Sequence, residues 1–155
     1  MNQVSRIFGV LALIGGTISG VLSAQQREVV NLPGAPAPRP DAPPPVLSNA
    51  IKIGNMMWVS GQLGTTQGQT VGDIEKETSG ALDKIKKTLE AAGFGMKDVV
   101  AVQVYLVDIK DFQKMNAVYR TYFPDMKPTR TTVQVAALAS PVARIEITST
   151  AMKTP

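Results

Sequence analysis

The chain has 155 residues, room for one ordinary domain with accessory segments and too short for two full cores. Lys and Arg number 16 against 12 Asp and Glu, so the net charge is +4, spread thinly with no basic block, and no nucleic-acid partner is expected. Neither Cys nor His is present, which excludes thiolate nucleophiles, disulfides, the usual zinc ligands and every triad that relies on imidazole.

Residues 1–24 read as a secretory signal: one early cation at Arg6, an uncharged apolar run from Ile7 to Leu22, then the small residues Ser23 and Ala24. An uncleaved anchor is the alternative, but the run falls short of the roughly 20 residues a spanning helix needs and is loosened by four glycines. Cleavage near Ala24 would place the chain in the periplasm or outside the cell, with no stable membrane span. Residues 25–45 are rich in Pro and Ala, with Pro33, Pro36, Pro38, Pro40 and the triplet Pro43 to Pro45. Each proline removes a backbone donor and fixes one dihedral, so this stretch is expected to be an extended tether. The folded domain is expected over residues 46–155.

Within it, Asn49 to Ile53 and Met56 to Ser60 are strand-like and flank Gly54-Asn55, a pair suited to a tight hairpin. Gly61 to Gly72 reads as a loop. Asp73 can cap a helix whose apolar positions Ile74, Ala81, Leu82, Ile85 and Leu89 share one side, and Gly93 supplies the stop. Gly80 interrupts that helix at about 1 kcal/mol relative to Ala. Val99 to Val107 is the strongest strand, with Val100, Val102, Val104 and Leu106 on one face and Val99, Ala101, Gln103, Tyr105 and Val107 on the other. A second helix follows from about Asp111 to Tyr122 and ends before Pro124; Thr131 to Ala136 and Arg144 to Met152 complete the set as strands. The order ββαβαββ, with right-handed crossovers, puts both helices on one face of a mixed sheet: a two-layer α+β domain. The other face, holding Val99, Ala101, Tyr105 and Val107, would be bare in a monomer, and self-association is the simplest remedy.

Several side chains are candidates for chemistry. Arg130 opens a strand just after Pro128-Thr129; its planar fork can hold a carboxylate by two parallel hydrogen bonds, although a solvated surface arginine is the commoner use. Glu146 alternates with Ile145 and Ile147 and therefore projects to the putative assembly face, where a carboxylate held partly out of water can polarise a water or pass a proton. A strand ion pair with Arg144 is the plainer reading. Asn116, beside Met115 on the second helix, can bond a substrate or a neighbouring loop. Ser60-Gly61-Gln62 ends a strand in a flexible step whose backbone could approach a ligand. No phosphate loop, dinucleotide fingerprint, metal cluster or nucleophile elbow occurs in the sequence.

Taken together, NAIKIGNMMWVSGQLG, LEAAGFGMKDVVAVQVYLVDIKDF, MNAVYRTYF, PTRTTVQVAAL and RIEITSTAM resemble the RidA/YjgF family from about Val46 to Met152. The resemblance implies a chorismate-mutase-like subunit assembled as a homotrimer, with sites in the clefts between subunits, deaminating 2-aminoacrylate-type imino acids and enamines to 2-keto acids and ammonia. In that frame Arg130 matches the residue that binds the substrate carboxylate, Glu146 the glutamate that activates water, and Asn116 and Ser60, with Gly61, pocket positions. No cofactor or metal is implied. Two positions depart from the family: Leu47 stands where a Tyr is common, so the pocket loses a hydroxyl and gains apolar lining, and Thr132 stands two after the arginine, where it can still offer its N–H. Leu47 favours bulkier substrates. It also leaves open a second reading, a non-catalytic trimer of the same fold that binds small carboxylates or protects other proteins. Ribonuclease activity, associated with some relatives, finds neither a basic groove nor interleaved aromatics in this sequence.

Overall fold

The computed structural model describes residues 26–32, 41–65 and 72–154; the expected signal segment and the prolines between 33 and 40 lie outside the described residues. The turn at Gly54-Asn55 joins β2 (Ala50–Ile53) to β3 (Met56–Leu63), with Gly54 alone of the pair at positive φ, 57°. Helix α1 (Ile74–Ala91) begins at Asp73, whose side chain accepts from the Glu75 N–H, and it ends at Gly93. Strand β4 (Val99–Leu106) leads through a single turn of 3-10 helix into α2 (Phe112–Tyr122), and β5 (Thr129–Gln134) and β6 (Ile145–Met152) close the chain.

An additional strand, β1 (Arg27–Val30), precedes these and lies inside the stretch expected to be a tether. It pairs antiparallel with β2, Val30 opposite Ala50 and Arg27 opposite Ile53, and the Lys52 ammonium reaches Glu28 at 3.1 Å. The segment Arg-Glu-Val-Val comes before the first proline, so every residue keeps its N–H, and the strand sits at the sheet edge.

The sheet order is β1-β2-β3-β6-β4-β5, antiparallel throughout except for β4 and β5. Because β3 and β4 are each antiparallel to β6, they are parallel to one another, so both helices connect parallel strands. Both cover the same face, where Met57, Leu82, Ile85, Leu89, Val102, Val104, Leu106, Met115, Ile145 and Ile147 form a dry core. The helices are tied together by the Tyr122 hydroxyl, which donates to Asp83 at 2.8 Å; burial, followed by the Asp83 hydrogen bond, pushes its pKa up to about 12.

Gly80 has a packing reason. A Cβ there would meet the Gly64 carbonyl oxygen at 2.6 Å, and one on Gly64 would meet the Glu77 carbonyl oxygen at 1.9 Å. The chain leaving β3 therefore lies directly on the backbone of α1, an approach that only two glycines permit. Lys84 holds the same crossing by donating to the Leu63 and Thr65 carbonyls at 2.7 and 2.8 Å, and desolvation lowers its pKa.

The alternation in β4 holds from Ala101 onward and fails at its start. Val99 is buried and Val100 is 40% exposed, the reverse of expectation, because the register with β6 shifts between Val99 and Ala101. Such a bulge inserts one residue and flips every side chain before it to the other face. The opposite face of the sheet is uncovered by helix and carries Trp58, Gln103, Tyr105, Glu146 and Thr148, with Trp58 41% exposed.

Candidate active site

Arg130 lies opposite Val102 in the parallel pairing of β5 with β4, and Val102 is buried beneath the helices. In-register neighbours point to the same face, so the arginine runs toward α2. Its guanidinium carbon stands 4.5 Å from the ring centre of Tyr119 and 5.6 Å from that of Phe112, and Nη1 is 4.0 Å from the Met115 sulfur. Among the described residues no carboxylate comes within ion-pair reach of it. The rings hold the cation by its faces and the thioether accepts one long, weak contact from Nη1, so the other N–H donors remain available to an anion.

Asn116 and Arg130 line one cavity of about 390 Å³, floored by Tyr119 and Phe123. Tyr119 is buried, and burial pushes its pKa up to about 12 against the opposing charge of Arg130. Among the described residues its hydroxyl finds no hydrogen-bond partner, and neither does the hydroxyl of Thr132, two residues beyond Arg130 on the same strand face.

Glu146 sits elsewhere. It lies opposite Tyr105 and Leu63, between the core residues Ile145 and Ile147, and so projects from the uncovered face. Beneath its carboxyl group, β3 shifts register between Val59 and Gln62, and a Cβ on Gly61 would lie 1.7 Å from Glu146 Oε1. Gly61 thus makes room for the glutamate, a different use from the backbone contact expected of it. Arg144 does not pair with Glu146. Its guanidinium bonds Asp111 Oδ2 at 2.6 and 3.0 Å and its N–H donates to the buried Glu77; the Asp111 hydrogen bond raises its pKa.

Ser60 and Leu47 fall in a third place. The Ser60 hydroxyl donates to the Ser48 carbonyl at 2.6 Å and its N–H to that of Asn49 at 3.0 Å, so this serine fastens the segment before β2. Leu47, 66% exposed, lines a separate groove with Arg27, Val29 and Asn31. One protomer therefore joins Arg130 with Asn116, and Glu146 with Gly61, while the two pairs occupy opposite faces of the sheet. Tyr119, Phe112 and Met115 do not stand out in the sequence as site residues, because their helical spacing marks a core stripe just as well as a cradle for a cation. Among the described residues no group of three or more His, Cys, Asp or Glu side chains is placed to hold a metal ion.

Comparison with known proteins bears on the domain as a whole. The model of the family described as Endoribonuclease L-PSP matches residues 38–153. A RutC family protein of Pyrococcus horikoshii is 45% identical over 120 residues, 76% of this chain and 92% of that protein. A 2-iminobutanoate/2-iminopropanoate deaminase of Rattus norvegicus is 40% identical over 111 residues, 70% of this chain and 80% of the relative. The crystal structure of the YjgF gene product from E. coli is similar at a TM-score of 0.65 with 31% identity, over 70% of this chain and 88% of that one. Family model, relatives and fold agree with the motifs read from the sequence: the chain belongs to the endoribonuclease L-PSP family, the RidA/YjgF family.

Proposed function

We propose that this protein hydrolyses the imines of 2-amino acids, and the enamines in equilibrium with them, to 2-keto acids and ammonia. The observation that carries this reading is the half-buried Arg130 guanidinium, held by Tyr119, Phe112 and Met115 and bonded to no carboxylate among the described residues. A substrate carboxylate received in its fork would be fixed in position and rotation, presenting the C=N carbon to a water. Water adds to that carbon and gives up a proton, the imine nitrogen gains one, and the resulting carbinolamine expels ammonia as the C=O forms. Glu146 is the carboxylate suited to take the proton of the attacking water.

Since Arg130 and Glu146 occupy opposite faces of one sheet, a complete site needs a second protomer to bring its uncovered face, with Glu146, against the β5 edge of the first. The homotrimer implied by the family resemblance would supply that arrangement three times. A non-catalytic carboxylate-binding role is the second reading, favoured by the same separation should the assembly leave the two residues apart.

The test uses imines generated in situ by an amino-acid oxidase, with keto-acid and ammonia release measured above the spontaneous rate. Arg130→Ala is expected to lower kcat/KM by about 10- to 200-fold, the worth of a charge-assisted bonding pair. Equal acceleration by wild type and variant would remove Arg130 from the site. Stabilisation of the fold by 2-keto acids with no turnover would favour the second reading.

A further inference from the structure

We infer that the cavity beside Arg130 selects substrates with a second acidic group, so that the imines of dicarboxylic amino acids are preferred to those of neutral ones; this rests on Arg130 as the anchor of the first carboxylate. Two observations carry it. The first is charge. Arg120, Lys127 and Arg130 all line this cavity, and among the described residues no Asp or Glu does. Arg120 alone could be explained as a cation in the last turn of α2, where it favours the helix dipole. Lys127 and Arg130 lie outside that helix and have no such reason to gather there. The Lys127 ammonium is steadied by the Pro124 and Asp125 carbonyls at 3.1 and 3.4 Å, which leave its charge uncompensated and one donor free. Three like charges around one concavity focus a positive potential that a single carboxylate does not neutralise.

The second observation is size. A cavity of 390 Å³ falls in the range of about 300–1,000 Å³ that takes ligands well beyond an imine of about six heavy atoms. With the first carboxylate on Arg130, a side chain two or three carbons longer extends across the apolar floor of Tyr119 and Phe123 toward Arg120 and Lys127. A neutral aliphatic side chain of the same length would fill the space and leave both cations without a partner.

The experiment compares imines generated from aspartate or glutamate, from alanine, and from leucine, which is as long as the acidic ones but uncharged. Each rate is taken above spontaneous hydrolysis with the full chain. Wild type is expected to show a kcat/KM at least about tenfold higher on the dicarboxylic imine than on either neutral one, an advantage that shrinks as salt is raised. Arg120→Gln and Lys127→Gln, both at exposed positions, should each lower the rate on the dicarboxylic imine about three- to tenfold more than on the alanine-derived imine. A leucine-derived imine handled as well as the dicarboxylic one, or variants that slow all three alike, would overturn the inference. Salt-sensitive RNA cleavage lost in both variants, without any preference among imines, would also overturn it by assigning the cations to a polyanion. Arg130→Ala separates the two levels. If it slows every imine while wild type shows no acidic preference, only the selectivity fails; if it slows none, the anchor itself is wrong.

Discussion

Replacing Gly61 by alanine tests the placement of Glu146 without altering the carboxylate. The added Cβ would stand 1.7 Å from Oε1, 2.7 Å from Cδ and 3.1 Å from Cγ of Glu146, so the oxygen must retreat by about 1.7 Å to reach ordinary contact. The clash falls on the far end of a flexible side chain, and the backbone at Gly61 is not at positive φ. Rotating the glutamate off its preferred position costs about 0.5–1.5 kcal/mol, against about 0.5–1 kcal/mol gained by removing a glycine from a strand. Global stability, followed by chemical denaturation, should therefore change by less than about 1 kcal/mol. Activity should not be spared. A displacement of about 1 Å in a catalytic group can lower the rate about 100-fold, and a loss of that order in kcat on an alanine-derived imine is expected. In a Glu146→Gln background the same alanine should add little, because both changes act through one carboxylate. Full activity in Gly61→Ala beside a dead Glu146→Gln would show that the glutamate works from somewhere other than the space above Gly61 of β3.

Other perturbations test the surroundings. Tyr119 is pushed from 10.0 up to about 12, mainly by burial; an acid with a raised folded pKa contributes stability that is complete below pH 10 and lost as pH rises toward 12. At about 1.4 kcal/mol per unit Tyr119 alone should account for a loss on the order of 2–3 kcal/mol across that window, in addition to whatever Tyr122 loses there, so Tyr119→Phe should lose visibly less than wild type when the two are unfolded in parallel. Arg144→Ala strips the partner from Asp111, whose side chain is 10% exposed, and should cost about 1–3 kcal/mol by denaturant titration, with Asp111→Asn in the same background restoring part of it. Ser60→Ala removes the 2.6 Å bond to the Ser48 carbonyl and should lower stability by about 0.5–1.5 kcal/mol, with faster hydrogen exchange at the start of β2.

Local chemistry was legible from the residues. Gly54-Asn55 marks its turn, Asp73 and Gly93 bound α1, and the alternation of Ile145, Glu146 and Ile147 is enough to place the glutamate away from the core. What stayed hidden depends on pairing between distant segments. The exposed Val100 follows from a bulge against β6, and a run of valines contains no mark of where an extra residue is inserted. Arg130 and Glu146 each have a definite side on their own strand, yet their opposition appears only once β5 is registered on β4 and β4 on β6. The Arg144–Asp111 pair, 33 positions apart, displaced the nearer Glu146 for the same reason. Composition misled at Arg27–Val30, where a proline-rich neighbourhood masked four residues fully able to pair.

That short strand has a practical consequence for anyone trimming the protein. A chain cut to start at residue 46 would strip the partner from β2 and leave its outward N–H and C=O groups without bonds along a flank that holds Ile51 and Ile53. Such an unguarded margin invites other molecules to add to it, so the shortened protein should be more prone to stick to itself than the one it was meant to simplify.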